Sequence, residues 1–216
     1  MADMNTEKLN QALSATDASI RLRAALTAGT HPDLALPEVL LERCAVEPDF
    51  FVRDMLTWAI TRLPTELTFP ALVAQLADSR PQARSQHLHT LSKLREPATW
   101  QALPLALLHD PEVEVARAAW RCALRVVPAE EQPRLARELL GELGRGTPEI
   151  QRSLSRALAE LADEVTALLH QVDTPDAAVA AHARATLHLI EDPESDFLAD
   201  LAAAQRVAVL GSAQEN

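Results

Sequence analysis

A chain of 216 residues can bury a full core, and its Leu- and Ala-rich composition, with 5 Gly, no Tyr and no β-branched runs, excludes a β-rich fold. The formal net charge of −11 argues against general polyanion binding, because such binders carry a net basic face. No apolar run approaches the roughly 18–20 residues of a membrane span.

The N-terminal "MADMNTEKLNQAL" lacks the basic-then-apolar layout of a signal peptide, so a cytoplasmic protein is expected. Helical periodicity follows in "SIRLRAALTAG" (19–29), "LPEVLLERCAV" (36–46), "FVRDMLTWAITRL" (51–63), "FPALVAQLA" (69–77) and "QARSQHLHTLSKL" (82–94). It continues in "TWQALPLALL" (99–108), "VARAAWRCALRVV" (115–127), "PRLARELLGEL" (133–143), "EIQRSLSRALAEL" (149–161), "EVTALLHQV" (164–172) and "AVAAHARATLHLI" (178–190). The 14 Pro are placed between these stretches or in their first turns. Cys44 and Cys122, far apart among apolar residues, read as reduced buried thiols.

Shorter and longer amphipathic stretches alternate, so the unit is a helix pair. In the longer ones an apolar or small residue precedes an arginine: Ile20-Arg21, Val52-Arg53, Ala83-Arg84, Ala116-Arg117. The arginines are separated by 32, 31 and 33 residues. A pair of that size cannot bury its apolar face alone, so neighbouring pairs must stack. Helical phase, counted from Ile60, Leu91, Leu124, Leu158 and Leu187, places Arg53, Arg84 and Arg117 at the border of the core face. A half-buried guanidinium there needs a partner. Arg21, Arg53, Arg84 and Arg117 are therefore expected to form a structural ladder, with Glu47, Asp49, Asp78 and Asp110 available in the turns. The ladder ends where Gln151 and Ala180 take the arginine's place.

The acid, Pro, apolar-Arg, Ala, Leu layout resembles HEAT repeats, in the short form found in bacterial proteins, over residues 15–190. The wording of "VRDMLTWAITRL" and "ARSQHLHTLSKL" is similar to HEAT domains that stand alone or are joined to MerR-type regulators, although no helix-turn-helix unit is recognisable. The resemblance implies an all-α right-handed solenoid of five to six helix pairs spanning 1–216. Its repeats would run 5–29, 34–63, 66–95, 98–127, 131–161 and 162–190, with a capping helix at 194–210. It also implies that the second helices line a concave surface.

On those helices one phase, opposite the core, collects Trp58, Arg62, His89, Lys93, Arg121, Arg125, Arg152 and Arg156, with Asp54, Ser85 and Glu160 beside them. A basic face on an acidic chain, with one aromatic at a non-core position, is expected to receive an acidic or amphipathic segment of another protein. Other chemistry is thin. The seven histidines show no HExxH spacing, and no phosphate loop, nucleophile elbow or CxxC is present. His87 and Trp120 fall in core phase. No catalytic residue, metal or cofactor is expected. The resulting expectation is a non-enzymatic interaction or scaffold module in a regulatory context, not a nucleic-acid binder. A DNA glycosylase for alkylated purines is the alternative implied by the resemblance, since such HEAT-like enzymes use Trp, Asp and Arg in a groove and Asp54, Trp58 and Arg62 stand at spacing four. Lyases that attach bilin pigments share the repeat class, but nothing in the chain signals a pigment site.

Overall fold

The structure, a computed structural model, describes residues 2–212, with side chains for residues 7–207. The described residues are all-helical, with 13 α-helices and no strand among them. They fall into two compact units, Met1–Leu107 and Leu108–Asn216. None of their helices is long and apolar enough to cross a membrane.

The first unit holds α1 (Ala2–Leu13), α2 (Ala18–Thr30), α3 (Pro37–Val46), α4 (Phe50–Thr61), α5 (Thr65–Ala74), α6 (Pro81–Leu94) and the single turn α7 (Thr99–Ala102). Aspartates and prolines start several of them. Asp17 accepts from the Ser19 N–H, and Asp49 from the N–H groups of Phe51 and Val52. Pro37 and Pro81 occupy first turns, where the missing N–H costs nothing. α2, α4 and α6 pack in one row and α3 and α5 in a second, with α3 against α4 and α5 against α6. Val52, Leu56, Ala59, Ile60 and Leu63, the apolar set of α4, are all buried between the rows.

The second unit repeats this order. It holds α8 (Val113–Val126), α9 (Gln132–Leu140), α10 (Pro148–Ala159), α11 (Ala162–His170), α12 (Ala177–Glu191) and α13 (Phe197–Ser212). α8, α10 and α12 form one row and α9 and α11 the other, while α13 lies along α12 and covers its end. Phe197 and Leu201 bury themselves against Ala181, Ala185 and Leu189 there. Trp120 is buried and donates its indole N–H to the Leu108 carbonyl at 2.8 Å. Cys44 and Cys122 are buried free thiols, and burial pushes both up to about 12, so neither is a nucleophile near neutral pH.

Three sequence expectations are corrected. Pro70 lies inside α5, which starts at Thr65 rather than at Pro70 itself. Pro70 is solvent-exposed, so the carbonyl it leaves unbonded can turn to water. "TWQALPLALL" is two pieces, α7 and a 3-10 turn over Leu105–His109, because Pro104 holds Leu103 in an extended conformation. Leu124 and Leu187 are only half-buried, and their neighbours Cys122, Ala123, Ala185 and Thr186 carry the core instead.

The arginine register has a common geometry in the first unit. Arg21 donates through Nη1 to the carbonyls of Ala15 and Thr16, at 2.9 and 2.8 Å. Arg53 reaches Glu47 and Pro48 in the same way, and Arg84 reaches Asp78 and Ser79. Each guanidinium thus satisfies the two carbonyls five and six residues before it, in the turn that starts its own helix. Arg21 also grips the fully buried Glu47 bidentately, both bonds at 2.8 Å, while Arg43 donates to the same carboxylate and the Asp49 N–H caps it. Burial alone would raise the Glu47 pKa, but these donors outweigh it and hold the group below its ordinary value.

In the second unit the same task passes to other residues. Gln151 occupies the arginine's slot on α10 and donates its amide to the carbonyls of Gly144 and Gly146. Arg117 instead bonds Glu114 in its own first turn at 2.9 Å, and its Nε is buried without a partner. The Asp110 and Pro111 carbonyls are met by Arg145, which also pairs with Glu142. Beneath Gln151 lies a neutral network. The Gly144 N–H donates to His182 Nδ1 at 2.9 Å, so the ring proton is on Nε2, which faces the Gln151 carbonyl and Ser155 Oγ. Ser155 in turn meets Thr186, whose hydroxyl donates to the His182 carbonyl. Burial pushes the His182 pKa down to about 4. Gly144 sits at φ +83° with Val179 packed where a Cβ would lie, so this turn requires glycine.

Candidate binding groove

Four of the eight residues proposed for the binding face come together in the second unit. α8 carries Arg117, Arg121 and Arg125 on one stripe, four residues apart, and α10 carries Arg152 and Arg156. These side chains line a groove of about 310 Å³ between the two helices, together with Ser153, Glu149 and Glu160. The local sequence dictates this. Ala116, Ala119, Cys122 and Ala123 turn one side of α8 into the core, and Ile150, Leu154, Ala157 and Leu158 do so for α10. The arginines are left at the outer seam.

The charges in the groove are unevenly answered. Arg117 has Glu114, and Arg125 has Glu160 at 3.5 Å. Glu149 is turned to the Thr147 hydroxyl at 2.8 Å. Among the described residues, Arg121 has no carboxylate within ion-pair distance and donates to the backbone carbonyl of Arg117 at 3.3 Å. Although Arg121 keeps solvent contact, crowding by protein and then the neighbouring Arg117 charge hold its pKa below the ordinary arginine value. Among the described residues, Arg152 and Arg156 have no carboxylate within ion-pair distance.

Trp58, Arg62, His89 and Lys93 belong to the first unit, on α4, just past its end and on α6. Trp58 is 37% exposed, and its six-membered ring packs against Gly29 of α2, where a Cβ would come within 2.1 Å of it. Asp54, Arg62 and Lys93 are exposed, and His89 is half-buried.

Sequence reasoning placed Arg117 among structural residues and did not count it in the groove that it lines. It also missed the exposed pair Phe50 and Phe51, whose rings meet edge-to-face at 5.6 Å. A second missed cluster is His109, which bonds Glu142 at 2.7 Å and Glu138 at 2.8 Å. Burial opposes its charge, but the two carboxylates prevail and raise its pKa. The recurrence of acids at Glu47, Asp78, Asp110 and Glu142, 31 or 32 residues apart, is the signal that could have found this cluster. Ser155 and His182, 2.9 Å apart, have the look of a nucleophile and base. Both are fully buried, however, and the imidazole presents a proton rather than a lone pair to the hydroxyl. They are a core network. No group of His, Cys, Asp or Glu among the described residues is arranged to hold a metal ion.

No family model matches the chain, and no curated protein matches it. Among solved structures it is similar to the crystal structure of an engineered protein, at 18% identity and a TM-score of 0.45, covering 87% of this chain and 96% of that one.

Proposed function

We propose that the protein is a non-enzymatic interaction module of the HEAT type, a right-handed solenoid whose second helices receive a segment of another protein. The observation that carries this reading is the groove between α8 and α10, where Arg121, Arg152 and Arg156 have no carboxylate within ion-pair distance among the described residues, on a chain of net charge −11. Charge left unanswered at a helix seam is suited to recruiting an oppositely charged partner. The alternation of packed helices in each unit, and the arginine recurrence at 31–33 residues, support the repeat assignment. Trp58, half-open on its glycine bed, is suited to serve as an apolar anchor.

A photo-crosslinking residue at position 156 or 58, introduced in the source cells, tests this. A captured protein is expected, and its binding, reconstituted with the purified pair, should weaken in Trp58→Ala. Release of a free base from an alkylated duplex by the purified chain would contradict the reading and favour the glycosylase.

A further inference from the structure

We infer that the α8–α10 groove selects an acidic helical segment of a partner protein whose carboxylates recur about every four residues. The inference rests on the interaction-module reading and narrows it to one ligand chemistry.

Arg117, Arg121 and Arg125 are spaced by four, so their stripe runs along roughly 12 Å of α8, at about 1.5 Å per residue. Arg152 and Arg156 run along roughly 6 Å of α10. A single phosphate cannot address a charge spread over two rows, whereas a row of carboxylates at one-turn spacing matches each guanidinium in turn. The groove already shows that its guanidinia accept carboxylates, since Glu114 and Glu160 hold Arg117 and Arg125. These two carboxylates and Glu149 occupy the first turns and the far end of the helices. The positions between them, Arg121, Arg152 and Arg156, are left open. Anions are therefore rejected at the rim and accepted in the middle, which favours a short acidic stretch over an extended polyanion such as duplex nucleic acid.

Fluorescence anisotropy with the full chain tests the register. The probes are two labelled Ala-rich peptides of equal composition, one with Glu at every fourth position and one with the same Glu residues clustered at one end. The spaced peptide should bind about tenfold more tightly, and Arg152→Glu with Arg156→Glu should remove about tenfold or more of that affinity. Arg134→Glu with Arg137→Glu on α9 should change it less than about twofold, with circular dichroism showing the fold retained in both double variants. Equal affinity for the two peptides would overturn the inference. So would indifference to the groove variant, or displacement of the peptide by inorganic phosphate or duplex DNA at lower concentration. Self-association of the chain that the groove variant abolishes would assign the groove to a second copy instead. If the peptides fail while Trp58-dependent capture of a partner persists, this inference falls and the interaction module stands.

Discussion

The two units use the same helix order and differ in where they put their arginines. In the first, Arg21, Arg53 and Arg84 turn back into their own turns, and Arg21 shares the buried Glu47 with Arg43. In the second, Gln151 and Arg145 satisfy the turn carbonyls, a neutral network of His182, Ser155 and Thr186 lies beneath Gln151, and Arg117, Arg121, Arg125, Arg152 and Arg156 line a groove. An arginine that closes a turn is not available to a ligand. Replacing Arg by Gln at position 151 keeps the carbonyls satisfied without spending a charge, and the surrounding arginines become surface. One helical phase thus closes turns in one unit and lines an open groove in the other.

The comparison breaks first at Glu47. Glu47→Ala strands two guanidinia, one of them buried, and should cost the first unit about 3–5 kcal/mol, read as lost amide protection by hydrogen exchange. The wild-type carboxylate, held below its ordinary value, contributes stability that is present at neutral pH and is lost as acid protonates it through that lowered value.

The second unit should answer to pH at a different place. His182 has its pKa pushed from 6.5 to about 4, so the unfolded chain binds more protons between those values. Stability is full above pH 6.5 and falls by roughly 3 kcal/mol as pH drops toward 4, a slope that His182→Gln should flatten. His109 works in the opposite sense. Its raised pKa gives stability that is complete below its unfolded value and fades as pH rises through the folded one.

Smaller effects sharpen the contrast. Arg84→Ala should cost about 1–3 kcal/mol and Gln151→Ala about 1 kcal/mol, because a charged donor to two carbonyls outweighs a neutral one. Arg117→Ala should cost only about 0.5 kcal/mol, since its bond is to an exposed glutamate one turn away. Urea midpoints at pH 7 rank the three.

The helix pairs were legible because Leu and Ala recur at 3.6-residue spacing and Arg21, Arg53, Arg84 and Arg117 mark α2, α4, α6 and α8. The face of Arg121, Arg125, Arg152 and Arg156 was legible by the same counting. What was lost depended on residues distant in sequence. Arg145 reaches the turn at Asp110 from 35 positions away, and so displaces Arg117 from the role that its spacing suggested. His182 looked like one more residue of an Ala-rich helix. Its partners Gly144, Gln151 and Ser155 lie 27 to 38 residues earlier in the chain, before α11. Pro70 reads as a helix start by local rules, and only its exposed position shows why a helix continues through it.

The division of labour between arginines can be read in one measurement on the unaltered protein: phenylglyoxal labelling, followed residue by residue with peptide mass spectrometry. Arg152 and Arg156 should react fastest and Arg121 next, while Arg21 and Arg53, bonded into their turns, should react slowest. Equal rates across these five, or protection of Arg152 and Arg156 with reactive Arg21 and Arg53, would contradict the account.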